Sequence, residues 1–218
     1  MLYIVATPIG NLEDISKRAL RTLSEVDLIL CEDTRQTKKL LERYQINTQT
    51  LSYHQHSKPA KVDEIVDMLK QGKNLALVSE AGTPGISDPG SKLIAELTKF
   101  EDQSIKVVPI PGPSALTAAA SLAGFSMDKF IFLGFPPVKN KRQKFFKEMA
   151  ELKYPVILYE SPHRIIKTLI SLGDRQVVVC RELTKKFETI YRGTAKDILN
   201  KLGKEEIKGE FVVIVKRK

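Results

Sequence analysis

Three loops rich in proline and glycine follow apolar, β-rich runs that are typical of buried strands. They are Thr7–Asn11, Ser79–Gly90 and Pro111–Ala115. In an open parallel sheet, ligands bind beyond the carboxyl ends of the strands, and the loops that follow those strands lie at one edge. Glycine lets a backbone approach a ligand closely, and proline fixes a loop before the ligand arrives. One such loop could be a plain turn, but three at one edge predict a ligand pocket.

The chain lacks the usual phosphate-binding motifs. No GxGxxG follows a strand and no GxxxxGKS/T is present, so neither a dinucleotide nor a nucleoside triphosphate is expected. The helix predicted to begin at Ser114 presents free N–H groups at its N-terminus, and these suit a carboxylate. The expected ligand therefore carries little phosphate and many groups that can contact backbone.

Metal and thiol chemistry have little support in the sequence. His54 and His56 would share one face of a strand and could supply half a metal site. His163 is the only other histidine, so we predict no metal. Cys31 and Cys180 end apolar runs without a CxxC motif, which predicts buried thiols in a reducing cytoplasm.

Strand-like and helix-like patterns alternate almost throughout the 218 residues, and over residues 2–110 this alternation predicts a mainly parallel, helix-covered sheet. Asp14 and Asp33 are the predicted N-caps of the first two helices. The pattern starts again after Pro111–Pro113, which predicts two α/β domains, residues 1–112 and 113–218. Because no low-complexity linker separates them, these domains are expected to pack closely.

The chain is basic. Lys and Arg number 35 and Asp and Glu 26, which gives a net charge of +9. Such a surplus attracts polyanions; nucleic acid is the leading candidate, and a carboxylate-rich small molecule is the alternative. No apolar run is long enough to span a bilayer, and Met1–Val5 predicts a strand rather than a secretory signal. We therefore expect a cytoplasmic protein without a membrane partner.

Seven motifs occur in an order that is specific to one family. They are VATPIGNLEDIS, CEDTR, SEAGTPGISDPG, PIPGPSA, FLGFPP, LYESPHR and CREL. In these motifs the chain resembles the tetrapyrrole methylase superfamily of S-adenosylmethionine-dependent methyltransferases, and within it the branch that acts on ribosomal RNA. The resemblance runs from the first predicted strand to the last.

The resemblance implies a homodimer of chains with two αβα lobes, in which S-adenosylmethionine lies in a cleft between the lobes and not on a GxGxxG turn. It implies methylation of the ribose 2'-hydroxyl of a cytidine in the decoding region of 16S rRNA, as free RNA or in the small ribosomal subunit. By analogy, the residues expected to contact the cofactor are Pro8, Gly82, Thr83, Pro84, Ile86, Ser87, Asp88, Ser114, Ala115, Leu133, Gly134 and Phe135.

Methyl transfer to a hydroxyl needs a group that removes the proton, and a positioned base contributes about 10²–10⁴-fold. The candidates near strand ends are Glu32, Asp33, Glu80, Asp88, Glu160, His163 and Glu182. Asp33 is more simply an N-cap, and Asp88 is equally well explained as a brace for its loop. We predict that Glu80 or Glu160 lies nearest the reacting hydroxyl.

The densest basic run, Lys139–Lys144, follows the FLGFPP motif and begins a predicted helix. Cations at a helix N-terminus oppose the helix dipole, which favours a role in RNA binding over a purely structural one. The predicted RNA contacts are His54, His56, Lys139, Lys141, Arg142, Lys144, His163 and Arg164. Two alternatives stay open: methylation of a tetrapyrrole or other small acid, and RNA binding without catalysis.

Overall fold

The computed structural model describes residues 1–54, 57–88, 90–99, 105–203 and 207–217. The chain divides into two compact units, Met1–Ser114 and Ala115–Lys218, which we call unit 1 and unit 2. None of the helices within the described ranges is long and apolar enough to cross a membrane.

Unit 1 alternates strands with helices, as the sequence pattern predicts. Its strands are β1 (Leu2–Val5), β2 (Leu28–Cys31), β3 (Thr50–Ser52), β4 (Leu75–Leu77) and β5 (Val107–Ile110). Its helices are α1 (Lys17–Glu25), α2 (Thr34–Arg43), α3 (Pro59–Lys70) and α4 (Gly90–Leu97), with a 3-10 turn at Leu12–Asp14. The strands pair in parallel, in the order β3-β2-β4-β1-β5.

Helices cover both faces of this sheet, because strand residues that point to either side are apolar. Leu30 belongs to the core that packs against α3 and α4, whereas Ile29 and Cys31 belong to the core that packs against α1 and α2. Parallel strands all end at the same edge, and the loops after β1, β4 and β5 follow three neighbouring strands. This edge is where the sequence predicts a pocket.

Side-chain caps fix where the first two helices of unit 1 begin. Asp33 caps α2, as predicted, and accepts a hydrogen bond from the Arg35 N–H at 2.8 Å. The prediction that Asp14 caps the first helix is wrong. Asp14 ends the 3-10 turn, and Ser16 caps α1 by accepting from the Ala19 N–H at 3.0 Å.

Unit 2 contains a second five-stranded sheet, of mixed direction. Its strands are β6 (Ile131–Phe132), β7 (Val156–Glu160), β8 (Gln176–Arg181), β9 (Thr189–Thr194) and β10 (Phe211–Val215). Its helices are α5 (Ala115–Ser121), α6 (Arg142–Ala150), α7 (Ile165–Leu172) and α8 (Ala195–Leu202). The strand order is β6-β7-β10-β8-β9, with β6 and β7 parallel and the other pairs antiparallel.

The register of unit 2 brings three strand ends to one edge of its sheet. Phe211, the first residue of β10, lies opposite both Glu160 and Arg181, the last residues of β7 and β8. Because β6 runs parallel to β7, the loop after β6 begins at this edge too. We call it the Glu160 edge; it carries Phe135 after β6, Glu160 at the end of β7 and the loop after β8. Helices α6, α7 and α8 cover one face of the sheet, and α5 packs against β10.

Candidate functional site

In unit 1 the three predicted loops meet at the carboxyl edge of the sheet. Thr7 and Gly82 exchange two backbone hydrogen bonds, of 2.9 and 3.0 Å, which join the loop after β1 to the loop after β4. The Thr83 hydroxyl donates to the Pro113 carbonyl at 3.2 Å, which joins the loop after β4 to the loop after β5. The prediction that these loops form one rim is therefore confirmed. We call it the loop rim.

Gly82 makes this close approach possible. Its φ of +81° lies in the left-handed region that other residues rarely adopt. A Cβ atom at this position would lie 3.3 Å from Ile9 Cγ2 and 3.6 Å from the Pro113 carbonyl oxygen. Position 82 therefore requires glycine both for its conformation and for its packing between the other two loops.

Asp88 braces the loop after β4 from within. Its Oδ1 accepts hydrogen bonds from the Gly85 N–H at 2.6 Å and from the Gly90 N–H at 2.9 Å. Ser87 adopts a φ of +65°, and both Ser87 and Ile86 are exposed. The geometry gives Asp88 the bracing role that the sequence left open, and it leaves Ile86 and Ser87 as parts of this loop that a ligand can reach.

Three carboxylates of unit 1 lie near one another: Glu32 after β2, Glu80 after β4, and Asp88. Burial raises the pKa of Glu32, and the negative charges of Glu80 and Asp88 raise it further. Glu80 is exposed, whereas Glu32 and Asp88 are half-buried. We call these residues the acidic trio. They create a negative potential in unit 1 on the loops that follow β2 and β4.

The remaining predicted cofactor residues of the first half of the chain follow β1, β4 and β5. Pro8 and Thr83 are half-buried in the loop rim, and Pro84 is buried. Ser114 ends unit 1, and Ala115 is the first residue of α5 in unit 2. Their contact with a cofactor stays a prediction.

In unit 2, Glu160 ends β7 with a side chain that is 0% exposed. Its Oε1 pairs with Arg164 Nε at 3.0 Å and accepts from the Ser161 N–H at 2.9 Å. Its Oε2 accepts from the Thr168 hydroxyl at 2.5 Å. An Arg142 Nη2 group donates to the Thr168 hydroxyl oxygen at 2.7 Å and lies 4.0 Å from Oε2. We call these residues the Glu160 network.

Arg142 and Arg164, two predicted RNA contacts, are engaged within unit 2. Arg142 also donates to the Pro137 carbonyl at 3.1 Å, and Arg164 donates to the Pro136 carbonyl at 3.0 Å. Their side chains are 14% and 20% exposed. Burial lowers the pKa of Arg142, and the charge of Glu160 opposes that change. Both guanidinium groups thus clamp the loop after β6 to the end of β7.

An aromatic cluster adjoins the Glu160 network. The Tyr159 and Phe135 rings pack edge to face, with centroids 5.6 Å apart, and the Arg164 guanidinium lies 5.7 Å from the Phe135 centroid. The Tyr159 N–H donates to the Gly134 carbonyl at 3.0 Å. Phe135 stays 49% exposed, whereas Leu133 and Gly134 are half-buried. These contacts fix the loop that carries three predicted cofactor residues.

The other predicted RNA contacts are lysines and histidines. Three exposed lysines surround the start of α6, and we call them the α6 lysines: Lys139, Lys141 and Lys144. His163 is exposed in the turn before α7, and His54 is exposed in unit 1. His56 lies outside the described residues. Within the described part of the chain, no group of three or more His, Cys, Asp or Glu could hold a metal ion.

The sequence matches a known family over most of its length. Residues 1–199 match the family described as Tetrapyrrole (Corrin/Porphyrin) Methylases. The chain belongs to this family. Tetrapyrrole methylases are methyltransferases, and their methyl donor is S-adenosylmethionine. The family predicted from the seven motifs is therefore confirmed.

Several relatives of this tetrapyrrole methylase carry the name Ribosomal RNA small subunit methyltransferase I. The protein from Synechocystis is 45% identical over 221 residues, which is 99% of this chain and 78% of the relative. The protein from Bacillus subtilis is 46% identical and is matched over 99% of this chain and 74% of the relative. The protein from Thermotoga maritima is 43% identical, with 100% of this chain and 98% of the relative matched.

Solved structures of other methylases share the fold. A cobalt precorrin-4 methyltransferase of cobalamin biosynthesis has a TM-score of 0.71 at 19% identity, over 99% of this chain and 94% of that protein. A diphthine synthase has a TM-score of 0.72 at 16% identity, over 100% and 90%. At these identities the likeness shows the fold, and it confirms the predicted α/β fold class of the methylases.

The residues of unit 1 fit the chemistry of S-adenosylmethionine, whose sulfur is positively charged. The acidic trio carries negative charge, which suits a positively charged sulfur, and Ile86 carries exposed apolar surface. Gly82 and Thr83 hold the loop rim together, so its backbone is already in place. A site that is ordered in advance loses less entropy when it binds its ligand.

Sequence reasoning missed Thr168 and gave Glu32 as one of several possible bases. Thr168 is buried on α7 between Ile165 and Leu172. A polar residue on an otherwise apolar helix face indicates a buried hydrogen-bond partner, and this pattern is visible in the sequence. The signal for Glu32 was its place in CEDTR, directly after β2. The proximity of Glu32 to Glu80 and Asp88 depends on the strand order β2-β4, which the sequence pattern does not specify.

Proposed function

We propose that this chain transfers a methyl group from S-adenosylmethionine to the ribose 2'-hydroxyl of a cytidine in the decoding region of 16S rRNA. The observation that carries the proposal is an identity of 43–47% over nearly the whole chain to proteins named Ribosomal RNA small subunit methyltransferase I. The resemblance of the sequence motifs to the ribosomal RNA branch supports the choice of cytidine and of the 2'-hydroxyl.

The loop rim and the acidic trio support a methyltransferase site in unit 1. When bound, S-adenosylmethionine supplies a methyl group on a positively charged sulfur. Thr7, Gly82 and Thr83 keep the three loops joined, so they can hold a ligand in one orientation. Orientation matters because in-line transfer requires the attacking atom within about 3–3.5 Å of the methyl carbon. The acidic trio stabilises positive charge beside the rim.

We assign the general base to Glu80 in preference to Glu160. Glu80 is exposed on the loop after β4, so a ribose hydroxyl can reach its carboxylate. Glu160 is fully buried, and both of its oxygens already accept hydrogen bonds. Glu160 is therefore a positioning residue: it holds Arg142 and Arg164, which in turn hold the loop that carries Phe135.

Charge supports RNA as the substrate. A net charge of +9 attracts the phosphate backbone, and the α6 lysines and His163 are exposed for contact with it. The proposal includes a homodimer that acts in the cytoplasm on 16S rRNA or on the small ribosomal subunit. The substrate is a folded RNA, so its shape as well as its sequence enters recognition.

The test measures methyl transfer from labelled S-adenosylmethionine to small ribosomal subunits from cells that lack this protein, followed by mapping of 2'-O-methyl groups. We expect one new methylated ribose, in the decoding region. Methylation of a tetrapyrrole but not of the subunits would refute RNA as the substrate, while methyl transfer from S-adenosylmethionine would remain supported.

A variant pair tests the base. Glu80→Gln should lower kcat by about 10²–10⁴-fold while S-adenosylmethionine still binds. Glu25→Gln is the matched control, because Glu25 is an exposed carboxylate at the end of α1, away from the predicted site residues. Wild-type kcat in Glu80→Gln would exclude Glu80 as the base.

A further inference from the structure

The hairpin loop between β8 and β9, residues 182–188, has an unusual backbone. Glu182 and Thr184 both adopt positive φ values, of +54° and +66°. For a β-branched residue such as Thr, this conformation is an outlier. Strain of this kind persists where the surrounding structure enforces it, and it is concentrated at functional sites.

Ion pairs and hydrogen bonds enforce the shape of this loop. Glu182 Oε1 accepts from the Glu210 N–H at 2.9 Å and pairs with Lys185 Nζ at 2.9 Å. Lys185 Nζ also pairs with the Glu210 carboxylate at 2.8 Å. A Glu188 carboxylate oxygen accepts from the Thr184 N–H at 2.7 Å. The loop is therefore held rigidly in a strained conformation before any partner arrives.

The tip of this rigid loop presents an aromatic ring to solvent. Phe187 is 70% exposed, the highest value among the exposed large hydrophobic residues that the structure describes. Lys186 Nζ lies 5.6 Å from the centroid of its ring. The Thr189 hydroxyl donates to the Phe187 carbonyl at 3.2 Å, so the backbone beneath the ring is fixed too. A single exposed apolar residue is common on protein surfaces. An exposed ring on a loop that is both strained and fixed by ion pairs is unusual.

The position of the loop ties it to the Glu160 edge. It begins directly after Arg181, which lies opposite Phe211, and Phe211 lies opposite Glu160. Two strand spacings separate β8 from β7, a distance of about 10 Å. The loop after β6, the end of β7 and loop 182–188 therefore share one edge of the unit 2 sheet.

We propose that loop 182–188 is a stacking platform for an unpaired base of the RNA substrate, with Phe187 against the base and Lys186 beside a neighbouring phosphate. This inference rests on the proposed function, since it names a further contact for the same substrate. Aromatic rings stack on unpaired bases of any sequence, and nearby cations bind the backbone. The rigid loop reduces the entropy lost on binding.

Methyl-transfer kinetics on small ribosomal subunits test the platform. Phe187→Ala should raise KM by about 5- to 150-fold and leave kcat unchanged, because one stacked base is lost. Phe187→Trp, which keeps an aromatic ring, should retain a KM close to that of the wild type. The control is Ile170→Ala, since Ile170 is an exposed apolar residue on α7. A wild-type KM in Phe187→Ala would overturn the platform.

Fluorescence tests the platform without methyl transfer. The chain contains no tryptophan, so Phe187→Trp introduces a single tryptophan, whose emission can be excited selectively at wavelengths that tyrosine does not absorb. A single-stranded oligocytidylate should quench its emission and leave that of Ile170→Trp unchanged. Absence of quenching in Phe187→Trp, or equal quenching in both variants, would overturn the platform.

These outcomes separate the two proposals. If the wild type does not methylate the subunits while Phe187→Trp is selectively quenched, the proposed function fails and the RNA platform stands. A lower sedimentation mass in Phe187→Ala would show that the ring contacts a second copy of the chain, and would overturn the platform.

Discussion

Replacing Glu160 should destabilise unit 2 strongly, because its carboxylate is the buried counter-charge of two arginines. Arg164 pairs with it at 3.0 Å, and Arg142 lies 4.0 Å from it and is joined to it through Thr168. Removing one partner of a buried ion pair costs about 3–5 kcal/mol. Glu160→Ala should reach the upper part of that range, since the Ser161 N–H also loses its acceptor.

Urea unfolding followed by circular dichroism measures this loss. With a slope of about 2 kcal/mol/M, a loss of 3–5 kcal/mol lowers the midpoint for unit 2 by about 1.5–2.5 M. Glu148→Gln is the matched control on α6, because Glu148 pairs with Lys144 at 3.6 Å with both side chains largely exposed. An exposed pair contributes at most about 1 kcal/mol, so the control should unfold close to the wild type.

The same variants distinguish positioning from chemistry. If Glu160 positions the arginines, Glu160→Gln should lower the midpoint, and its loss of methyl transfer should follow the loss of folded protein. A positioning role for Glu160 is excluded if Glu160→Gln unfolds at the wild-type urea concentration, binds S-adenosylmethionine normally and still loses kcat by about 100-fold or more. That result would make Glu160 a base that reacts directly.

Three further predictions concern the loop rim, the RNA surface and one of the two buried thiols, that of Cys180. Gly82→Ala should lower the free energy of unfolding by about 1–2 kcal/mol because of the positive φ, and by a further amount because the new Cβ meets Ile9 and Pro113. Gly72→Ala, which has a similar φ and nothing within 4 Å, should lose only the first amount. The difference between the two variants in urea unfolding measures the packing of the loop rim. Substitution of all three α6 lysines by Ser should reduce the slope of log K for RNA against log salt by about 2–3, and a wild-type slope would exclude them from the interface. Burial raises the pKa of the Cys180 thiol to about 11, so iodoacetamide should label it at pH 8 in urea but not in the folded protein.

The sequence predicted the layout of unit 1 better than that of unit 2, for a physical reason. A parallel sheet covered on both faces produces continuous apolar runs separated by helices, and β1, β2 and β4 show this pattern. Hydrophobic periodicity marks a strand but not its direction. In unit 2 the antiparallel insertion of β10 between β7 and β8 therefore left no trace in the pattern. This insertion places Phe211 opposite both Glu160 and Arg181 and so creates the Glu160 edge.

The loop after β4 shows why residue types alone did not separate chemistry from support. Glu80 and Asp88 are both carboxylates on that loop, and both are plausible bases by position. The difference comes from the backbone, because the Gly85 and Gly90 N–H groups turn toward Asp88 Oδ1. A carboxylate with two backbone donors is committed to the loop, whereas Glu80 is exposed. The conformation of the loop therefore decides which of the two carboxylates is available as a base. In the sequence, only the glycines that permit this conformation indicate it.

Within the basic run Lys139–Lys144, residue spacing distinguishes Arg142 from the lysines, although all of them carry the same charge. Arg142 precedes Phe146 by four residues and Met149 by seven, which places all three on one face of α6. Phe146 and Met149 are buried, and the Arg142 guanidinium lies 4.9 Å from the Phe146 ring centroid. Lys144 lies off this face, Lys139 and Lys141 precede the helix, and all three lysines are exposed. Position in and before the helix therefore separates the arginine that supports Glu160 from the lysines that can meet phosphate. A salt-slope experiment that replaced all four cations would mix loss of folding with loss of binding.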